Sequence, residues 1–189
     1  MANQLKGKRI AFLATDGVEQ SELTQPWEAL RAEGAELELV APTAGEIQAM
    51  RGREPGDRFS VDTRVRDADV SRYAGLVLPG GVMNPDALRL DADAVEFVRG
   101  FFEQSKPVAA ICHAAWMLVE ADVVRGRTLT SWPSLKTDIR NAGGEWVDEE
   151  VHVDGLLVTS RKPADLNAFC AKTIELMSQA EPARARASG

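Results

Sequence analysis

Apolar positions along the chain fall into two alternating kinds of pattern, short unbroken runs and longer stretches with helical spacing. Ile10 to Ala14, Gly75 to Leu78 and Val108 to Ile111 are apolar throughout, as strands buried on both faces of a sheet are. Glu36 to Val40 alternates charge with leucine and valine and reads as a further strand ending at Ala41-Pro42. Between these runs lie helical patterns: about Thr24 to Arg31, with Pro26 in its first turn and Gly34 as its stop, and about Ala92 to Gln104, with Val95, Val98 and Phe102 recurring on one face. Ala114 to Ala121 continues directly from the third buried run as good helix formers.

The connecting segments are just as informative. Ile47 to Met50 and Phe59 to Val61, separated by a glycine-rich turn, predict a small hairpin. Asn84-Pro85-Asp86 reads as a helix cap followed by proline at the first helical position. Further on, Gly126 to Thr130 is a strand, and Pro133 to about Ala142 a helix closed by Gly143-Gly144. Trp146 to Val153 and Leu156 to Ser160 form a hairpin around Asp154-Gly155. The last helix runs from Pro163 to about Met177, and its apolar stripe of Leu166, Phe169, Cys170, Ile174 and Met177 places Cys170 in the core. Strands and helices alternating through short connections predict an α/β sandwich around a mostly parallel sheet, organised as one domain over 1–178 with a flexible polar tail over 179–189.

Composition narrows the function. Across 189 residues the formal charge is −7, with no basic cluster, which disfavours nucleic acid and anionic membranes as partners. No segment approaches the ~20 apolar residues of a membrane span, and Met1 to Arg9 lacks an apolar run before a cleavage site, so a cytoplasmic location is expected. Two cysteines and two histidines furnish neither a disulfide scaffold nor a metal site of the usual spacing, so no metal is expected.

Ligands of parallel sheets bind beyond the carboxyl ends of the strands. Three exits there carry polar or glycine-rich residues: Asp16 to Glu22, Pro79 to Asp86, and Cys112-His113. Cys112 sits where a strand ends and a helix begins, a corner whose free N–H groups favour a thiolate. A buried structural thiol is the competing reading of position alone. Likewise Glu19 and Glu22 read as residues of an exposed turn, Asp86 as a favourable charge at a helix start, and Gly80-Gly81 as a tight turn unless chemistry recruits them.

The order and spacing of several motifs then resemble the PfpI branch of the ThiJ/PfpI superfamily, to which the parkinsonism-associated deglycase also belongs. They are Val18-Glu19-Gln20-Ser21-Glu22-Leu23, Leu78-Pro79-Gly80-Gly81, Pro85-Asp86, Ala110-Ile111-Cys112-His113, Val124-Arg125-Gly126-Arg127-Thr128, Asn141-Ala142-Gly143-Gly144-Glu145, and Asp154-Gly155 with Ser160-Arg161-Lys162-Pro163. The resemblance spans roughly residues 8 to 177. It implies a flavodoxin-like three-layer sandwich, a nucleophile elbow, and a homo-oligomer of at least two chains. Carried over by position, it implies Cys112 as nucleophile, His113 as general acid/base, Asp86 as the carboxylate orienting that histidine, often from a neighbouring subunit, and Glu22 beside the thiol with Glu19 nearby. Two departures stand out: Val82-Met83-Asn84 is one residue longer than the archaeal pattern, and Trp132 replaces a tyrosine.

The chemistry that follows is thiolate attack on a carbonyl, with the N–H groups of Gly81 and His113 as oxyanion donors and Gly80 and Trp132 lining the substrate. The leading expectation is a stress-response enzyme acting without a cofactor on reactive dicarbonyls or their protein adducts. The alternatives are an intracellular cysteine peptidase and a non-enzymatic redox sensor or chaperone working through oxidation of an exposed Cys112. A glutamine amidotransferase fits poorly, because its elbow is Gly-x-Cys-x-Gly with a downstream His-x-Glu, whereas this chain has Ala110-Ile111-Cys112-His113-Ala114 and His152-Val153-Asp154.

Overall fold

The continuous apolar runs are the middle of a seven-stranded sheet. In the computed structural model, which describes residues 3–180, the strands are β1 (Arg9–Leu13), β2 (Glu36–Ala41), β3 (Glu46–Arg51), β4 (Glu54–Ser60), β5 (Thr63–Arg64), β6 (Gly75–Leu78), β7 (Val108–Ile111), β8 (Thr128–Leu129), β9 (Glu145–Trp146), β10 (Val151–Asp154) and β11 (Leu157–Ser160). The helices are α1 (Gln20–Ala32), α2 (Met83–Leu88), α3 (Ala92–Glu103), α4 (Ala115–Glu120), α5 (Lys136–Asn141) and α6 (Leu166–Ser178). The main sheet has the order β10-β11-β7-β6-β1-β2-β5, parallel except for the edge strand β10.

Alternation within the buried strands divides the core into two layers. Ala11, Leu13, Leu76, Leu78, Val108 and Ala110 face one way and pack with the apolar stripe of α3 and with α4 and α5. Ile10, Phe12, Val77, Ala109 and Ile111 face the other way, against Leu23 and Leu30 of α1 and Phe169 and Met177 of α6. Helices therefore cover both faces, and the expected flavodoxin-like α/β sandwich is the observed fold. Each fully buried leucine or isoleucine contributes on the order of 1.5–3 kcal/mol to that arrangement. No helix is long and apolar enough, among the described residues, to cross a membrane.

Several local expectations change. Helix α1 begins at Gln20, four residues before the expected start, because the Glu19 carbonyl already accepts the N–H groups of Glu22 and Leu23. Pro26 therefore lies inside the helix rather than in its first turn. The strand read from Trp146 to Val153 is broken, since Glu145–Trp146 pairs in parallel with Thr128–Leu129 in a separate small sheet. The charged turn Asp148 to Glu150 follows, held by Arg161, whose guanidinium bonds both Asp148 and the buried Asp165. Cys170 is half-buried at the border of the α6 stripe, not inside the core, and burial pushes its thiol up to about 11. Of the polar tail read from 179, residues 181–189 lie outside the described residues.

Asn84 shows how the fold positions its loops. It is fully buried and caps no helix, since α2 starts one residue earlier. Its amide donates to the carbonyls of Pro79 and Gly80 and accepts the Thr15 N–H at 2.8 Å, tying the exit of β6 to the exit of β1. Removing it strands one backbone donor and two acceptors in a dry setting, each worth about 1–3 kcal/mol when unsatisfied. Asn84→Ala is expected to lower unfolding free energy by roughly 2–4 kcal/mol in urea titrations, and a loss within 0.5 kcal/mol would show that the clamp is dispensable.

Candidate active site

Strand order β7-β6-β1 makes neighbours of the three polar exits, and Cys112 stands at the first of them. The chain leaves β7 with Ile111 extended, then reverses at Cys112, whose φ of +63° lies in the left-handed region. A side chain other than glycine held there costs on the order of 1–3 kcal/mol and persists only where its surroundings enforce it. A single turn of 3₁₀ helix over Cys112–Ala114 then leads into α4. This is a nucleophile elbow: the strain lifts the thiol out of the sheet toward the loop after β6.

That loop presents Gly80 against the elbow. A Cβ on Gly80 would stand 2.7 Å from the Cβ of Cys112, 2.7 Å from the Ile111 carbonyl and 2.5 Å from Glu22 Oε2, so only glycine fits. The Gly80 N–H donates to Glu22 Oε2 at 2.9 Å. Gly81 adopts φ of +82°, and a Cβ on it would stand 2.5 Å from the Gly17 carbonyl oxygen and 2.8 Å from the Glu19 nitrogen. The backbone N–H groups of His113 and Gly81 both reach the Cys112 sulfur. In the absence of substrate they serve the thiolate.

Glu22 is not on an exposed turn. It sits in the first turn of α1 with no exposed surface, and burial raises its carboxyl to about 8, with a smaller push from the charge of Glu19 and opposition from hydrogen bonds to Cys112, Gly80 and Gly81. Its Oε2 is occupied by Gly80, while Oε1 receives no N–H or O–H and is the oxygen available to carry a proton toward the Cys112 sulfur. The Cys112 thiol is itself pushed up, first by burial and then by any charge on Glu22, against the His113 and Gly81 N–H groups. Two anions this close in a dry pocket cannot coexist, so ionisation of either group holds the proton on the other. When that proton resides on Glu22, the repulsion vanishes and a donor faces the sulfur.

His113 follows directly in the chain, and its Nδ1 lies 3.2 Å from Cys112 Sγ. Burial lowers its pKa, which favours the neutral ring. Two indoles flank it: Trp132 stacks at 5.7 Å between centroids with 23° between planes, and Trp116 lies at 5.3 Å, tilted by 57°. Trp116 is held in turn by Asp138, which accepts its indole N–H, and by the Arg89 guanidinium over its ring.

The remaining candidates divide. Glu19 faces away, accepting the Gly52 N–H of the β3–β4 turn and the Ser21 hydroxyl, and reaches the site only through its charge. Asp86 is exposed on α2, and among the described residues its side chain makes no hydrogen bond or ion pair, and no carboxylate among them bonds His113. His152 bonds Glu149 on the edge strand and takes no part. Sequence reasoning missed Asn84, disguised by the proline after it as a cap, and Trp116, which reads as one more apolar position of α4. Among the described residues no group of three or more His, Cys, Asp or Glu side chains is arranged to hold a metal ion. A cavity of about 340 Å³ between α1 and β4, lined by Trp27, Leu39 and Phe59 among others, includes none of the elbow residues.

Comparison with known proteins agrees with this geometry. A family model described as the DJ-1/PfpI family matches residues 8–176. The chain is 40% identical over 171 residues to protein/nucleic acid deglycase 2 of Escherichia coli, covering 90% of this chain and 98% of that one. It is 37% identical over 170 residues to the putative cysteine protease YraA of Bacillus subtilis, covering 90% and 98%. Among solved structures, Drosophila melanogaster DJ-1beta superposes with a TM-score of 0.83 at 26% identity, over 94% of this chain and 91% of that one.

The protonated state of Glu22 has a measurable signature. Its folded value of about 8 lies above the ordinary 4.5, so the folded protein keeps a proton that the unfolded chain has already released. The associated stability is complete below about pH 4.5 and is lost as pH rises through about 8. Glu22→Gln does not titrate, so its stability relative to wild type should grow between pH 5 and 8.5 by on the order of a few kcal/mol. A difference that stays constant across that range would mean that Glu22 is ionised in the native state.

Proposed function

The chain belongs to the DJ-1/PfpI family, and from that premise we propose that it is a cysteine enzyme of the deglycase and glyoxalase type, acting on reactive dicarbonyls and on their adducts with amines. The observation that carries this reading is the fully buried Glu22 carboxyl, held by the Gly80 N–H beside Cys112 and raised to about 8 by burial, with His113 Nδ1 3.2 Å from the Cys112 sulfur. Once His113 takes the thiol proton, a protonated carboxyl and two backbone N–H groups stabilise the thiolate as an activated nucleophile.

On methylglyoxal, the Cys112 sulfur adds to the aldehyde carbon, and the oxygen that gains charge takes a proton to give a hemithioacetal. His113 removes the hydrogen from that carbon and returns a proton to the neighbouring one, converting the hemithioacetal to a thioester. Water then cleaves the C–S bond and releases a 2-hydroxy acid and the free thiol. On a hemiaminal adduct the C–S bond forms as the C–N bond breaks, and the departing amine takes the proton. Atoms and electrons balance without an external oxidant or reductant.

Proton transfer requires a base stronger than a buried, unpartnered imidazole. Burial lowers the His113 pKa, while Asp86 stands exposed and unpaired on α2 beside the exposed Val82 and Met83. The proposal therefore includes a homo-oligomer in which Asp86 of a second copy meets His113 and the apolar rim is covered. A cytoplasmic stress role belongs to the same proposal, as the setting in which dicarbonyls threaten protein amines. The sensor reading called for an exposed thiol, and Cys112 is only 7% exposed, which weighs against it. No feature of the site favours peptide amides over these smaller electrophiles.

Cys112→Ala is expected to abolish turnover of methylglyoxal and of its amine adducts, followed as 2-hydroxy acid released; retained turnover in protein free of contaminating enzyme would sink the reading. Asp86→Asn should lower kcat by roughly ten- to a thousandfold. Refolding mixtures of Cys112→Ala and Asp86→Asn chains should recover activity that neither has alone. Absence of recovery in verified mixed oligomers would place the action of Asp86 within one chain or remove it.

A further inference from the structure

Among the described residues the imidazole of His113 makes one hydrogen bond, to a sulfur atom. Nδ1 lies 3.2 Å from Cys112 Sγ, and among the described residues no other hydrogen bond to either ring nitrogen is present. Sulfur is a weak partner, and the outer torsion of a histidine is broad and nearly two-fold. A ring swung out of its plane would carry Nδ1 away from the thiol and disable proton transfer. What restrains the ring plane is packing, and the parallel partner is Trp132 at 5.7 Å and 23°.

Trp132 is itself unusually well anchored for a residue that is 38% exposed. Its backbone N–H donates to the carbonyl of Cys112 at 3.2 Å, so the tryptophan is tied to the same elbow whose histidine it covers. Its carbonyl accepts the Ser131 hydroxyl at 2.9 Å and the Leu135 N–H at 3.1 Å. Ser131, fully buried, also accepts the indole N–H of Trp146 at 3.0 Å. The short pair β8–β9, which places Leu129 opposite Trp146, brings that indole to Ser131. A chain of contacts thus runs from the small sheet through Ser131 to Trp132 and ends on His113.

From this the geometry points to Trp132 as a positioning residue: it holds the His113 ring in the plane that directs Nδ1 at the Cys112 sulfur, and the β8–β9 pair exists on this side of the fold to hold Trp132. The inference rests on the reading of His113 as the proton carrier. It adds to the carboxylate proposed from a second copy, because a carboxylate selects a nitrogen within the ring plane whereas a stacked face sets the plane itself. A catalytic group displaced by about 1 Å can lose on the order of a hundredfold in rate, so a slack ring is costly even when both nitrogens remain present.

The test uses the intact protein with ring-labelled histidine, which gives two sets of resonances because the chain has two histidines. His152→Gln, remote from the site, assigns them. In wild type the His113 ring protons should lie upfield, shifted by the indole current. In Trp132→Leu they should move downfield, keeping only the shift due to Trp116, and broaden, while kcat for methylglyoxal falls roughly ten- to a hundredfold with KM changed by less than about threefold. Trp132→Phe, which keeps a stacking face, should retain the upfield shift and most of kcat. Should Trp132→Leu fail to fold, Trp132→Met carries the same comparison. His113 resonances that do not move on loss of the indole, an unchanged kcat, or an increase confined to KM would each overturn the inference, the last by making Trp132 a wall of the substrate mouth. If wild type turns over no dicarbonyl at all, the proposed reaction fails, and the resonances still decide whether the ring is held.

Discussion

A buried carboxyl hydrogen-bonded by the N–H of a residue that can have no side chain is the constraint on which this site depends. Glu22 has no contact with solvent, and an ionised carboxylate in such a place carries a large desolvation penalty unless it is fully partnered. Burial outweighs the hydrogen bonds that reach the carboxyl, and Glu22 responds by holding its proton to higher pH. That proton is what makes a neighbouring thiolate tolerable. Glycine at position 80 is equally strict, because Glu22, the Cys112 Cβ and the Ile111 carbonyl converge on the space that a methyl group would occupy.

The convergence is a product of sheet topology. Strands β7, β6 and β1 lie side by side and parallel, so their carboxyl ends open on one edge, and the chain reverses direction across the sheet between β6 and β2. Such switch points leave a crevice because adjacent connections depart to opposite faces. Asn84 stitches the crevice from below by bonding the exits of β1 and β6, and the strained φ of Cys112 is enforced from the third side. The backbone cost at Cys112 is met by the buried apolar residues of β7 on one side and of α4 on the other, which leave the elbow little alternative.

Much of this was legible in the chain itself. Unbroken apolar runs identified the central strands, helical spacing identified α3 and α6, and the abrupt change from one to the other at Cys112-His113 marked the elbow. Where the reading went astray, the local pattern was satisfied by a simpler local explanation. Asn84 before proline looks like a cap, yet its amide is consumed by carbonyls and an N–H from two separate loops. Glu19 and Glu22 look alike on a polar turn, yet one accepts the hairpin N–H of Gly52 and the other is sealed beneath Gly80. Cys170 completes an apolar stripe in sequence but falls at its solvent-facing border, because a helix stripe is wider than the surface it can cover.

Hydrophobic periodicity, glycine placement and motif order by themselves determined the sandwich, its buried strands and the identity of the cysteine corner, because each is a property of neighbours within a few residues. The tertiary structure alone decided which carboxylate lies buried against Cys112, which ring lies over His113, and that the Asp86 side chain has no partner among the described residues. Protonation is set by burial and by contacts such as Gly80 on Glu22, 58 residues apart in the chain, and ring orientation by an indole brought from another loop; Glu22, Gly80 and Cys112 acquire their chemistry only once three strand exits share one crevice.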